Sequence, residues 1–144
     1  MTNESSILRT NLHLTKPEKL KPGDKVAAVS SSCGGPSVFP DRYEIGKRQF
    51  EKEFGVHVVE IPHTLKSAEW ISEHPKERAQ DLMEAFQDPS IKAIISTIGG
   101  GDSVRILPFL DLDIIRKNPK VVIGYSDTTV THLACYKAGL MSYY

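Results

Sequence analysis

The chain has 144 residues, a length that suits a single domain with its own hydrophobic core. Hydrophobic residues make up 40% of it and charged residues 25%, as in ordinary globular proteins, and 18 basic residues balance 18 acidic ones. The zero net charge argues against a nucleic-acid-binding protein that depends on a positive surface field. Because the sequence has neither a membrane-length apolar run nor a signal-peptide start, we expect a cytoplasmic protein without a membrane partner.

Strands and helices are predicted to alternate from residue 21 onward. Residues 1–20 have little periodicity and are interpreted as a tail or a loosely docked arm, with order beginning near Lys21. The remaining pattern predicts strands at 26–29, 56–59, 91–98 and 121–123, helices at 41–54, 76–87, 103–107, 111–117 and 128–138, and an incomplete fifth strand from residue 140. The polar stretch 63–75 contains no predicted element. Such alternation predicts an α/β fold, in which a parallel sheet has helices on both faces.

Three loops are expected at the carboxyl ends of the predicted strands, where parallel sheets bind their ligands: 30–36, 99–103 and 124–127. In the last of them, Ser126 stands at a sharp turn from strand to helix. A serine there can project above the sheet edge as a nucleophile, and the amide of Asp127 can point to the same space as an oxyanion donor. The alternative is that Ser126 caps the following helix.

The glycine run 99–101 directly follows an apolar strand. Its amides are candidates for a second oxyanion donor or for a phosphate site at the start of a helix, and the alternative is a plain tight turn. The sequence contains neither a G-x-G-x-x-G fingerprint nor a Gly-Lys-Ser/Thr ending.

A serine nucleophile needs a base, and no histidine is clearly placed to serve Ser126. The histidines are predicted to lie in the tail, a strand, a loop or on an exposed helix face; they are His13, His57, His63, His74 and His132. We expect His132 to face solvent. Cys33 and Cys135 are far apart in sequence and are expected to be free thiols, and neither a metal nor another cofactor is expected.

Several motifs, in order and with matching gaps, resemble LD-carboxypeptidases and the related microcin C immunity proteins, a family of serine peptidases. They are Ser-Thr-Ile-Gly-Gly-Gly-Asp-Ser at 96–103, Leu-Pro at 107–108, Asn-Pro-Lys at 118–120 and Gly-Tyr-Ser-Asp-Thr-Thr at 124–129, with earlier segments at 20–26 and 77–82. The resemblance covers roughly residues 20–144.

The resemblance implies a two-domain enzyme with a Ser-Glu-His triad. Its flavodoxin-like N-terminal domain, here residues 21–144, carries the nucleophile Ser126, and a C-terminal domain that this chain does not contain supplies the glutamate and the histidine. The amides of Asp127 and of Gly100 or Gly101 are implied to form the oxyanion hole. A homodimer is also implied, and the isolated chain is expected to be inactive because its base lies elsewhere.

Two substrate classes are compatible with the resemblance. The immunity branch hydrolyses the bond between an amino acid and a modified nucleotide, whereas LD-carboxypeptidases remove the terminal D-alanine from muropeptide tetrapeptides. The runs 96–100 and 126–129 look closer to the immunity branch, although Gly101 stands where that branch is expected to have an acidic residue. A non-catalytic module that binds a small phosphate or carboxylate ligand is the alternative from another class.

Overall fold

The computed structural model describes residues 13–144. A parallel sheet forms its centre, with the strands in the order β2-β1-β3-β4. The strands are β1 (Lys25–Val29), β2 (His57–Glu60), β3 (Ile91–Ser96) and β4 (Val121–Ile123). This order is that of a flavodoxin-like sheet, and the predicted fold class is therefore confirmed.

Helices follow each strand, as right-handed crossovers between parallel strands require. They are α1 (Gly35–Val38), α2 (Pro40–Phe54), α3 (Ala68–Glu73), α4 (Pro75–Gln87), α5 (Leu112–Lys117) and α6 (Thr129–Ala138), with 3-10 turns at Ser103–Phe109 and Ser126–Thr128. The predicted helices agree with these bounds to within a residue or two. The short α1 and α3 were not predicted, and α3 lies within the polar stretch 63–75.

Alternate residues of the strands face two separate apolar layers. Ala27 and Val29 of β1 pack into the larger layer together with α4, α5 and α6, whereas Val26 faces the smaller layer on the other side of the sheet. The smaller layer contains Val56, Ala93 and Val121, against which Phe50 of α2 packs. Helices thus lie on both faces, and the sheet holds its carboxyl-end loops on a rigid support.

The two ends of the described chain pair with each other. Thr15 forms a parallel bridge with Leu140, and Tyr143 forms one with Ile123 of β4. Pro17 is buried, so the segment 13–20 packs against the domain. The predicted fifth strand is present as these two isolated bridges. Within residues 13–144, no helix has the length and apolar character of a membrane span.

Candidate functional site

Ser126 has a backbone conformation that sets it apart. Its φ is +59°, and within residues 13–144 it is the only residue other than glycine with a positive φ. This left-handed conformation is unfavourable for a side chain and costs on the order of 1 kcal/mol, so the surrounding structure must hold it in place. Ser126 follows β4 after two residues and its side chain is exposed at the carboxyl end of the sheet.

The alternative that Ser126 caps the following helix is wrong. The N-cap residue of α6 is Thr128, and no side-chain hydrogen bond caps that helix. The Ser126 carbonyl instead accepts a hydrogen bond of 2.6 Å from the Thr129 hydroxyl, which helps to fix the turn. The Ser126 side chain is therefore left available to solvent or a ligand.

Gly99 packs closely against Ser126. A Cβ atom at position 99 would lie 3.0 Å from the Ser126 Cβ, 3.2 Å from its Oγ and 3.5 Å from the amide nitrogen of Asp127. The first two distances are shorter than ordinary carbon contacts, so a side chain at position 99 would crowd Ser126, and glycine allows the two loops to approach this closely. The glycine run thus meets the Ser126 turn, in agreement with the prediction that both loops lie at the carboxyl ends of parallel strands.

The predicted oxyanion residues Gly100 and Gly101 differ in their surroundings. A Cβ atom at Gly100 would lie 2.3 Å from the Ser32 Oγ and 3.2 Å from the Cys33 Cβ, so this glycine packs against the loop after β1. A Cβ atom at Gly101 would meet nothing within 4 Å. The structure adds Gly99, which the prediction did not name, as the member of the run nearest to Ser126.

Asp127 ties the three loops together through its side chain and carbonyl. Its carboxylate accepts a hydrogen bond from the Ser32 hydroxyl and one of 2.9 Å from the Ser103 amide, while the Ser103 hydroxyl donates to the Asp127 carbonyl at 2.6 Å. Partial burial raises the pKa of Asp127, but the bonds from Ser32 and Ser103 outweigh burial and lower this pKa below its ordinary value. Asp127 is therefore a carboxylate whose role in the structure is to anchor the turn.

Arg78 of α4 forms a second connection beneath the loops. Its side chain is fully buried, and its Nη1 donates to the carbonyls of Ser31 at 3.2 Å and Ser32 at 2.9 Å. The same nitrogen lies 2.9 Å from Oδ1 of Asp102, the residue that follows the glycine run. Arg78 thus joins the loop after β1 to the loop after β3.

His132 does not face solvent as predicted. It is half-buried, with its Nε2 2.8 Å from the Gly124 carbonyl oxygen and its Nδ1 2.8 Å from the Ser142 hydroxyl. The prediction was wrong because residues 140–144 return beside β4 and cover this face of α6. The Ser126 amide donates to the Tyr144 hydroxyl at 3.2 Å, so the same segment also contacts the Ser126 turn.

The other described histidines are engaged elsewhere or lie on the surface. His63 Nδ1 is 2.8 Å from the buried carboxylate of Asp81, and His74 Nδ1 is 2.7 Å from the Trp70 carbonyl oxygen. His13 and His57 are exposed. Among residues 13–144, no histidine forms a hydrogen bond with Ser126.

Two buried charged residues of α4, one of which contacts the site loops, could have been recognised from the sequence. Arg78 and Asp81 occupy positions on the core-facing stripe of α4, beside Ala79 and Leu82, and all four are buried. A charged residue within an apolar stripe is seldom buried without a partner. Their positions therefore indicated buried ionic contacts, although not which loops they bind.

The fold and this arrangement define an α/β protein with an exposed serine after a parallel strand and a glycine run facing it. The chain matches the family described as the LD-carboxypeptidase N-terminal domain over residues 25–144. Because this match covers most of the chain, the protein belongs to that family, as the resemblance of its motifs implied.

The chain is similar to proteins whose names come from both branches of the family. The chain is 41% identical over 123 residues to the microcin C7 self-immunity protein MccF of Escherichia coli, covering 85% of this chain and 36% of that protein. It is 33% identical over 132 residues to a protein of Bacillus subtilis named "Probable murein peptide carboxypeptidase", covering 90% and 40%. The solved structure of MccF in complex with aspartyl sulfamoyl adenosine matches with a TM-score of 0.80 at 40% identity, covering 90% and 38%. The chain therefore spans well under half the length of these relatives.

Proposed function

We propose that this chain carries the nucleophile of a serine peptidase, and that Ser126 is that nucleophile. The observation that carries the proposal is the φ of +59° at an exposed serine in the turn that follows the parallel strand β4. Such a strained turn presents a hydroxyl above the sheet edge, away from its neighbours. The membership in a peptidase family supports the same role.

The oxyanion hole is proposed to consist of the Asp127 amide together with an amide of the glycine run, from Gly100 or Gly101. The Gly99 backbone closely approaches both the Ser126 Oγ and the Asp127 nitrogen, so the glycine run lies beside the nucleophile, which supports a role for its amides in binding a substrate carbonyl. The carboxylate of Asp127 is already bound by Ser32 and Ser103, so its amide is held in a fixed orientation. Loss of one such donor raises a reaction barrier by about 3 kcal/mol.

In the proposed reaction, the Ser126 Oγ attacks the carbonyl carbon of an amide bond while a base accepts its proton. The C–N bond then breaks, the amine leaves with a proton, and an acyl ester remains on Ser126. Water attacks this ester, releases the carboxylic acid and returns the proton to Ser126. One water molecule is consumed for each amide bond that is cleaved.

The base is proposed to come from a C-terminal domain of the full-length protein, as a histidine oriented by a glutamate. Two observations support this. The described histidines are bound to other groups or lie on the surface, and the relatives are much longer than this chain. Exposed apolar side chains near the site offer a surface for a second domain, such as Tyr125 at 64% and Val104 at 56% exposure.

The substrate is proposed to be an aminoacyl nucleotide or a related amide, as in the immunity branch. The 41% identity to MccF, together with the complex of MccF with aspartyl sulfamoyl adenosine, supports this choice. The alternative is removal of D-alanine from muropeptide tetrapeptides, which the similarity to the Bacillus subtilis protein favours. A cytoplasmic homodimer is proposed for the full-length protein.

The proposal is tested by hydrolysis of aspartyl sulfamoyl adenosine by the full-length protein, followed as release of aspartate. Ser126→Ala should abolish turnover, because the hydroxyl is the only group that forms the acyl ester. Ser67→Ala is the matched control: this serine caps α3 and should retain activity. Activity of Ser126→Ala close to that of the unmodified protein would refute the assignment. Turnover of a muropeptide tetrapeptide in place of the nucleotide would select the other branch.

A further inference from the structure

We propose that Arg78 is a positioning residue for the reaction at Ser126. Its buried guanidinium holds two loops at a fixed position relative to each other. They are the serine loop, residues 30–36, and the glycine loop, residues 99–103. The inference rests on the proposed function and adds a residue from α4 whose described contacts are with these two loops and not with Ser126.

The contacts of Arg78 reach both loops from one nitrogen. Nη1 donates to the Ser31 and Ser32 carbonyls in the serine loop and to Oδ1 of Asp102 in the glycine loop, at 3.2, 2.9 and 2.9 Å. Nη2 lies 3.4 Å from Oδ2 of Asp102. Charge-assisted bonds of a planar guanidinium fix direction as well as distance. A shift of one loop relative to the other therefore has to break at least one of these hydrogen bonds.

The two loops are also the ones that hold Asp127. The Ser32 hydroxyl binds the Asp127 carboxylate from the serine loop, and the Ser103 amide binds it from the glycine loop. Arg78 therefore closes a ring of contacts whose third corner is the residue after the nucleophile. The separation between the glycine amides and the Asp127 amide depends on this ring, and the oxyanion hole requires that separation to be constant.

A role in stability alone does not account for this arginine. Its side chain is fully buried, and its Nε has no hydrogen-bond partner within the described part of the chain. An unpaired buried donor is destabilising, and buried ion pairs can often be replaced by apolar side chains without loss of stability. The geometry that the guanidinium imposes on the loops gives a reason for its presence that packing does not.

Lysine cannot reproduce this geometry. Its ammonium is a compact charge without the planar fork, so it cannot reach both loop carbonyls and both oxygens of Asp102 at once. Arg78→Lys keeps the charge while loosening the connection between the loops. Arg105 provides a matched control, because it also donates to Asp102, at 3.2 Å, but is half-exposed and binds the Ser72 carbonyl in place of the serine loop.

The test measures kcat and KM of the full-length protein with aspartyl sulfamoyl adenosine. Arg78→Lys should lower kcat about ten- to hundredfold, since a displaced oxyanion donor is felt in the transition state, while KM changes by less than about threefold. Arg105→Lys should keep kcat within about twofold. Folding of each variant is checked by thermal unfolding, with activity measured well below the melting temperature.

An unchanged kcat in folded Arg78→Lys, or an equal loss in Arg105→Lys, would overturn the inference. If Arg78→Lys fails to fold, Asp102→Asn tests the inference in its place, because it weakens the same connection between the loops at a partly exposed position. It should also lower kcat with little change in KM, and a normal kcat would refute the positioning role. Failure of the proposed function is distinguishable, since the unmodified protein would then show no turnover that depends on Ser126.

Discussion

Substitution of Gly100 by alanine tests whether the glycine loop and the serine loop are in direct contact. The added Cβ would lie 2.3 Å from the Ser32 Oγ and 3.2 Å from the Cys33 Cβ. An ordinary contact needs about 3.5 Å, so the Ser32 hydroxyl has to move by about 1 Å. Such a movement disturbs its hydrogen bond to the Asp127 carboxylate.

The expected loss of stability follows from that hydrogen bond between Ser32 and Asp127. A hydrogen bond to a charged group contributes about 1.5–3 kcal/mol, and Gly100→Ala should lower the free energy of unfolding by a similar amount. No positive φ is recorded at Gly100, so its backbone conformation adds no penalty for alanine. Gly101→Ala is the control, because a Cβ at that position meets nothing within 4 Å, and it should change stability by less than about 0.5 kcal/mol.

The assay is equilibrium urea unfolding of the two variants, each also made in a Ser32→Ala background. Without the Ser32 hydroxyl, most of the clash and all of the lost hydrogen bond disappear, so Gly100→Ala should be much less destabilising there. Equal stability of the two glycine variants would refute the reasoning. An undiminished loss in the Ser32→Ala background would also contradict it, because the effect would then arise from another contact.

Two further predictions concern pH. Burial lowers the pKa of Lys120 to about 8, against the opposing effect of Asp88, so between pH 8 and 10.5 the unfolded chain binds more protons than the folded one. The free energy of unfolding should therefore rise with pH in that window, by up to about 3 kcal/mol more than in Lys120→Met. Urea unfolding of both proteins at pH 7 and 10.5 measures this change. A stability difference between the two proteins that is the same at both pH values would contradict the prediction. Because the pKa of Asp127 is lowered, its charged form stabilises the fold above its ordinary pKa of 3.8, and this contribution is lost as pH falls through the lower folded value. Asp127→Asn should be less stable than the unmodified chain by about 1 kcal/mol at pH 7, and the difference in the free energy of unfolding should shrink as the pH falls below 3.8. A difference that does not shrink with falling pH would refute this.

The sequence predicted the sheet and its main helices because their signals are local. Strand β4 was predicted at its observed bounds, 121–123, and α4 to within one residue, since short apolar runs and helical stripes need no distant partner to be recognised. Helix α3 was missed because it has six residues in a polar stretch, and its serine cap at Ser67 was the only strong local indication.

The contacts that assemble the candidate site could not be predicted in the same way. The meeting of the glycine run with Ser126 followed from the position of both loops at the carboxyl ends of parallel strands, but the proximity of Gly99 depends on a separation of a few ångströms between two loops. The environment of His132 depends on residues 140–144 returning beside β4, which no periodicity within α6 indicates. The roles of Ser32 and Arg78 depend likewise on tertiary packing.

Covalent labelling with a fluorophosphonate, mapped by mass spectrometry of the full-length protein, tests the central claim most directly. The strained turn, the exposure of Ser126 and the adjacent Asp127 amide predict a single adduct on the peptide that contains Ser126, absent from Ser126→Ala. An adduct on another serine, or no adduct on a protein that hydrolyses its substrate, would contradict the assignment of Ser126 as the nucleophile.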